Sequence, residues 1–283
     1  MLTKESQAGK QKVTTVAFQG ERGAYSESAV FQFFGADTNV KPRQDFKDVF
    51  DSVCAQETQF GVVPVENSLE GSVTQNYDLF LRYDLKVCGE VVVKVEHYLI
   101  ANPGTALEDI KTVYSHPQAL AQCRSFLEDF RRELIPTYDT AGSVKMIKEK
   151  SLRNAAAIAS ERAAKIYGMH ILANDIADNP ENYTRFFVLS TEDSALTGKD
   201  KTSIIFSAKH EPGSLYNALG EFAKRNINLT KIESRPTKKT AWEYNFYLDF
   251  EGHRTEPRCK EALLALEKYA IFVKVLGSYP KAN

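Results

Sequence analysis

Short apolar runs, each closed by a polar turn and followed by apolar residues at helical spacing, set the rhythm of the first 190 residues. Residues 14–19 (TTVAFQ) read as a buried strand, and 25–34 as a helix that Gly35 stops. Residues 46–55 carry an amphipathic helical pattern, and 60–65 (FGVVPV) form a second buried strand. A helix follows over 73–82 with Ser72 as its cap, then a β-branched strand over 87–95 that continues towards 97–100. A second set begins with a strand at 112–114, after which Ser115 and Pro117 suit the start of a helix over 119–130. Next come a strand at 135–138, a helix at 143–150 and a small-residue strand at 155–159. Ser160 caps a helix at 161–166 that Gly168 ends, 170–172 is a strand, and 186–189 is the last. Alternation of this kind predicts an α/β unit with a parallel-rich sheet covered on both faces.

The pattern then changes. A polar stretch, LTGKDK (196–201), precedes a strand at 202–208, a helix at 215–225, strands at 229–235 and 240–251, a helix at 257–269 and a strand at 271–276. That order, βαββαβ, is a ferredoxin-like unit. The expected organisation is a disordered leader over 1–13, an α/β unit over 14–192, a linker over 193–200 and the small unit over 201–280. The α/β unit is long enough for two lobes, one of about 14–94 with 176–192 and the other of about 95–175. The chain crosses between them near 94–97 and 175–182.

Composition narrows the classes. The formal net charge is -1 with no basic block, which argues against a nucleic-acid surface. No apolar run reaches membrane-spanning length, and residues 1–12 lack the apolar core of a secretory signal, so a cytoplasmic protein is expected. The 4 cysteines are scattered and read as reduced thiols. None of the 5 histidines lies at metal-ligand spacing from another His or Cys, so no metal is expected. The turn Gly20-Glu21-Arg22-Gly23 lacks both common phosphate-loop patterns, and no cofactor motif is present.

Chemistry concentrates at strand ends. In Asn182-Tyr183-Thr184-Arg185-Phe186-Phe187-Val188-Leu189-Ser190 a polar mouth opens onto a buried strand, a stiff support that aims polar groups outward. The loops 20–25, 66–72 and 115–118 each end a strand and open a helix, and helix N-termini attract anions. Converging loops would make a cleft for an anionic small molecule, with Arg185 as a carboxylate clamp. Each candidate also has a plain structural reading. Ser72 and Ser115 can be helix caps, His116 can satisfy local backbone, and Glu66 can pair with a lysine. Tyr25 can pack on its own helix, and Asn67 can serve a turn.

Four ordered motifs, VAFQGERGAYSE (16–27), GVVPVENSLEGSV (61–73), SHPQALAQC (115–123) and NYTRFFVL (182–189), resemble the prephenate dehydratase family. The C-terminal unit, with INLTKIESRP (227–236), resembles an ACT regulatory domain. The resemblance covers about residues 14 to 280 and implies a two-lobed fold like type II periplasmic binding proteins. It implies the decarboxylating dehydration of prephenate to phenylpyruvate in L-phenylalanine biosynthesis, without a cofactor. Thr184 matches the family's essential threonine and is expected to hydrogen-bond the departing hydroxyl, with Glu66 or a water relaying the proton. Tyr25, Asn67, Ser68, Ser72, Ser115, Gln118, Arg185 and Phe186 are the substrate-binding candidates carried over, with His116 beside them. The resemblance also implies feedback inhibition by L-phenylalanine between two ACT domains of a homodimer or homotetramer. Gly213, Ser214, Leu215, Glu233 and Ser234 are the effector candidates. Where the family reads Gly-Ala-Leu-Val, this chain has Gly213-Ser214-Leu215-Tyr216, which bears on the tightness of that pocket. The leader is too short for a chorismate mutase segment, so a monofunctional enzyme is expected. Two rivals stay open: a solute-binding or amino-acid-sensing protein, and a dehydratase acting on the aminated analogue arogenate.

Overall fold

The structure, a computed structural model, describes residues 13–237 and 243–282. Lobe one contains β1 (Thr15–Gln19), α1 (Tyr25–Phe34), β2 (Asn39–Arg43), α2 (Phe46–Cys54), β3 (Phe60–Asn67), β4 (Gly71–Ser72), α3 (Thr74–Arg82) and β5 (Lys86–Lys94). Lobe two contains β6 (Tyr98–Ala101), β7 (Thr112–Ser115), α4 (Pro117–Gln122), α5 (Arg124–Phe130), β8 (Glu133–Pro136), α6 (Thr140–Glu149), β9 (Ala155–Ala159), α7 (Glu161–Tyr167) and β10 (His170–Ala173). The chain then returns to lobe one as β11 (Tyr183–Ser190). The sheets run β2-β1-β3-β11-β5, with β4 beside β3, and β10-β6-β9-β7-β8.

Both sheets are mixed rather than parallel-rich. The neighbours of β1 are parallel to it, but β11 is antiparallel to both β3 and β5 because it enters from the other lobe. β2 was not expected from sequence. It is an edge strand, NVKPR, with a proline and no apolar run. The segment read as one helix over 119–130 is two, broken at Cys123, and the helix read at 143–150 starts earlier, at Thr140, with Asp139 as its cap. The all-alanine-and-isoleucine strand β9 is wholly buried, its small side chains leaving room for α6 to lie across it.

β11 divides two cores. Phe186 and Val188 pack with α1 and lobe two, while Phe187 and Leu189 pack with α2 and α3 on the other face. The alternation is the period of two that any strand imposes. It means that Thr184 and Phe186 look one way and Arg185 the other.

The C-terminal unit has β12 (Asp200–Ala208), α8 (Ser214–Ala223), β13 (Leu229–Pro236), β14 (Tyr244–Glu251), α9 (Pro257–Leu266) and β15 (Ala270–Pro280), in the βαββαβ order expected. The first part of the strand read at 240–251 lies outside the described residues. Its sheet, β13-β14-β12-β15, carries the two helices on one face. The other face joins lobe one: Ile205, Tyr247, Leu276 and Tyr279 belong to the same buried cluster as Tyr77, Phe80 and Phe187. The contact is close enough that a Cβ on Gly277 would sit 2.0 Å from the Val87 carbonyl oxygen.

Candidate active site

A cleft of about 1040 Å³ opens where the lobes meet, and the three helix starts anticipated from sequence converge on it. Tyr25 and Ser26 bring the start of α1, Thr74 that of α3, and Gln118 that of α4. The first turns of α1 and α3 have no side-chain cap, so their N–H groups stay available to an anion. Of the sequence candidates, Tyr25, Asn67, Ser72, Gln118, Thr184 and Phe186 line the cleft, as does His116.

Others are turned elsewhere. Ser115 is fully buried and donates to the Ile158 carbonyl at 2.6 Å, tying β7 to β9. It does not cap α4. His116 does, accepting the Gln118 N–H on Nδ1 at 3.2 Å. Ser72 is not a cap either, since it pairs with Glu66 in β4 and the cap position falls to Val73. Ser68 donates to the Glu181 carbonyl and accepts from the Tyr183 N–H, both at 2.9 Å, pinning the chain as it re-enters lobe one.

Two expectations need correction because of strand alternation. Arg185 points away from the cleft. Its Nε donates to Glu90 at 2.7 Å, one terminal nitrogen donates to Asp249 at 2.6 Å and the other to the Tyr279 hydroxyl at 3.0 Å. Burial alone would lower its pKa, but Asp249, Tyr279 and Glu90 outweigh that and push it up. Every edge of the guanidinium is committed, and no carboxylate clamp faces the cleft from this residue. Glu66 is the direct partner of Arg185 across β3 and β11 and shares its direction. Its carboxylate accepts from Lys231 at 2.8 Å, so it is not placed to relay a proton into the cleft.

Thr184 is different. Its Oγ1 accepts from Asn67 Nδ2 at 3.0 Å. The Asn67 amide has only one workable orientation, because its Oδ1 accepts the N–H groups of Leu69 and Glu70, each at 3.0 Å. Nδ2 also donates to Asn182 Oδ1 at 2.7 Å. Asn182, with no exposed surface, therefore donates from Nδ2 to Gln122 Oε1 at 2.9 Å. Gln122 Oε1 also faces His97 Nε2 at 2.9 Å, which assigns the ring proton to Nε2. His97 Nδ1 is then unprotonated, 3.2 Å from the Tyr25 oxygen, whose one hydrogen is directed to the Glu96 carbonyl. Burial lowers the His97 pKa, partly offset by Gln122, so the neutral ring this network needs is the favoured one. A run of adjoining polar groups, buried or half-buried, thus lies between two cleft residues, through the crossings that join the lobes.

His97, Gln122 and Asp139 escaped sequence reasoning. His97 and Gln122 carry no spacing signal. Asp139 could have been found, since an Asp before a helical pattern is a capping signal. It accepts from Gly142 N–H at 2.8 Å and from Glu21 N–H at 3.3 Å, and burial raises its pKa against those bonds. Among the described residues, no group of three or more His, Cys, Asp or Glu is placed to hold a metal.

A second cavity, about 590 Å³, lies on the C-terminal unit. Gly213, Ser214 and Leu215 line it, with Gly213 at φ +81° starting α8. Tyr216, Tyr244 and Ile271 expose apolar surface around it. Glu233 and Ser234 are not part of it. Glu233 accepts from the Ser72 hydroxyl, and Ser234 is exposed on the opposite side of β13.

Residues 16–194 match the family model described as prephenate dehydratase, and 202–268 match that of the ACT domain. The chain belongs to the prephenate dehydratase family. It is 44% identical over 96% of its length to a bifunctional chorismate mutase/prephenate dehydratase of Aquifex aeolicus, covering 75% of that protein. It is 46% identical to arogenate dehydratase/prephenate dehydratase 2 of Arabidopsis thaliana, over 94% of this chain and 72% of that one. A crystal structure of prephenate dehydratase from Arthrobacter aurescens in complex with L-Phe superposes with a TM-score of 0.86 at 35% identity, covering 95% of this chain and 90% of that one. The dehydratase unit therefore has the two-lobed, periplasmic-binding-protein-like fold of its family, with an ACT domain docked against lobe one.

Proposed function

We propose that the chain converts prephenate to phenylpyruvate in the cleft between the lobes, and that L-phenylalanine restrains it from the ACT domain. The observation that carries the reaction is the bond from Asn67 to Thr184. A hydroxyl that accepts a hydrogen bond from a fixed amide has its own hydrogen left to give. Thr184 donates that hydrogen to the ring hydroxyl as it leaves. The bond from ring carbon to carboxylate breaks, its electron pair completes the aromatic ring, and the C–O bond breaks as carbon dioxide departs. The departing hydroxide becomes water by taking a proton from solvent, since Glu66 faces the ACT domain.

The two carboxylates of prephenate suit the open N-termini of α1 and α3, with the Gln118 amide beside them. Positioning a single donor accounts for roughly a hundred- to ten-thousand-fold in rate. Phe186, next on the same strand face, supplies an apolar wall for the ring.

For the effector, the cavity at the start of α8 offers helix N–H groups to an amino acid carboxylate, and the surrounding apolar surface suits a second copy of the chain across it. A homodimer or homotetramer, working in the cytoplasm, fits this reading. The Arabidopsis relative's name keeps arogenate as a second substrate to try.

The test is turnover of purified protein on prephenate, following phenylpyruvate, with and without L-phenylalanine. Rapid turnover that falls with the effector supports both halves. Turnover indifferent to phenylalanine removes the regulatory half. No turnover on prephenate, but conversion of arogenate to phenylalanine, moves the assignment to the amino substrate, and failure on both returns the cleft to a binding role.

A further inference from the structure

Strand β13 is the edge of the ACT sheet, and its residues alternate between two environments. Lys231, Glu233 and Arg235 are half-buried against the dehydratase unit, while Thr230, Ile232 and Ser234 are exposed. The three inward residues all grip the same short piece of the cleft wall. The Ser72 hydroxyl donates to Glu233, and its oxygen accepts from Lys231 Nζ at 2.9 Å. Lys231 is itself fixed by Glu66 at 2.8 Å and lies 3.5 Å from Glu233. Arg235 donates to the Thr74 carbonyl in the first turn of α3 and approaches Asp78, one turn on, at 3.5 Å. Ser72, Thr74 and Asp78 all line the cleft.

We propose that β13 is a positioning strand for the dehydratase reaction: Lys231, Glu233 and Arg235 hold β4 and the start of α3 where they meet the substrate, so the ACT domain completes the cleft. The proposal rests on the dehydratase reading above. Three observations support it. The α3 start has no side-chain cap of its own, and Arg235 holds that first turn from outside by a different bond, to the Thr74 carbonyl. β4 is only two residues long and is paired on one side, to β3, so its free side depends on the ACT contacts. The Ser72 hydrogen is directed to Glu233 and its oxygen accepts from Lys231, so the hydroxyl is engaged by β13 and is not a donor to an anion in the cleft. Glu233 thereby takes a role in the cleft wall instead of the effector cavity, and a shift of β13 moves Ser72 and the α3 start together.

The experiment compares Arg235→Met, Arg235→Lys and Lys231→Met with the parent chain on prephenate, after the parent's own turnover has been established. Parent inactivity would overturn the dehydratase reading and, with it, the positioning role of β13; an active parent leaves that role to be decided by the variants. With an active parent, Arg235→Met is expected to raise KM about tenfold while kcat stays within about twofold, because the wall that receives the substrate loses its anchor and Thr184 does not. Arg235→Lys should recover most of the lost affinity, since an ammonium can still reach a carbonyl. Lys231→Met should raise KM and also change the response to phenylalanine. The proposal is overturned if Arg235→Met and Lys231→Met, folded as shown by circular dichroism, keep the parent KM. It is equally overturned if kcat falls with KM unchanged, or if Arg235→Lys is no better than Arg235→Met.

Discussion

Asn67 Nδ2 donates to Thr184 Oγ1 at 3.0 Å, and the direction of that bond decides where the Thr184 hydrogen can go. Removing the hydroxyl while keeping the shape is the direct test. Thr184→Val should fold normally and lose about a hundred- to ten-thousand-fold in kcat with KM changed little. Thr184→Ser, which keeps the donor, should retain a measurable part of the rate. Near-normal kcat in the valine variant would falsify the assignment.

Reversing the bond is the subtler change. Asn67→Asp replaces a donor with an acceptor that faces Asn182 Oδ1 and the Tyr183 carbonyl as well as Thr184. The Thr184 hydrogen would turn to the new carboxylate and away from the substrate. Expected are a loss of roughly 1–3 kcal/mol in stability and at least about a hundredfold in kcat. Denaturant melts and steady-state rates on the same preparation separate the two effects.

Arg185 should behave as a structural residue, not as a substrate ligand. It is buried among Glu90, Asp249 and the Tyr279 hydroxyl, and its removal takes the cation from the buried Asp249, while Glu90 keeps Lys201. Arg185→Ala is expected to cost about 3–5 kcal/mol. Denaturant unfolding reads this directly. A variant as stable as the parent but with a raised KM would restore the clamp expected from sequence.

The neutral His97 makes stability depend on pH in a definite direction. Burial holds its folded pKa below the ordinary 6.5, so between the two values the unfolded chain binds more protons than the native one. Stability contributed by the neutral ring is therefore present above pH 6.5 and weakens as pH falls below it, by at most about 1.4 kcal/mol per pH unit. His116, lowered by burial despite Asp139, acts with the same sign. His97→Gln should lose less stability than the parent between pH 7 and pH 5.5 in thermal melts. Equal losses in both proteins would assign the acid sensitivity elsewhere.

Gly277 tests the docking of the ACT sheet. A methyl there would collide with the Val87 backbone, which cannot yield as a side chain can. Gly277→Ala should destabilise the chain by roughly 1–3 kcal/mol and alter the phenylalanine response, read by melting and by inhibition curves.

Much of this was legible in the sequence for a simple reason. The apolar period changes from alternation to helical spacing at each strand end, and polar residues at those ends, Tyr25, Asn67, Gln118 and Thr184 among them, reach the cleft. Orientation was less accessible. Period two says that Thr184 and Arg185 face opposite sides, and likewise Asn67 and Glu66, but it does not say which side is the cleft. That depends on where the ACT sheet docks, a tertiary fact. Ser72 was misread as a cap because two residues of β4 carry no pattern. β2 was missed because an exposed edge strand needs no apolar run. The polar chain through His97, Gln122 and Asn182 joins residues far apart in sequence, so no spacing could announce it.

The place of β11 in lobe one also orders events in time. It sits between β3 and β5 but is made after all of lobe two, so as the chain emerges residues 14–173 exist before the strand that completes their first sheet. Until then β3 and β5 are open edges, the kind of surface that pairs wrongly with neighbouring chains. The strand that closes this gap brings Thr184 with it. Assembly of the sheet and arrival of the Thr184 hydroxyl are thus a single late step, and a nascent chain stopped before residue 183 has a cleft without that hydroxyl.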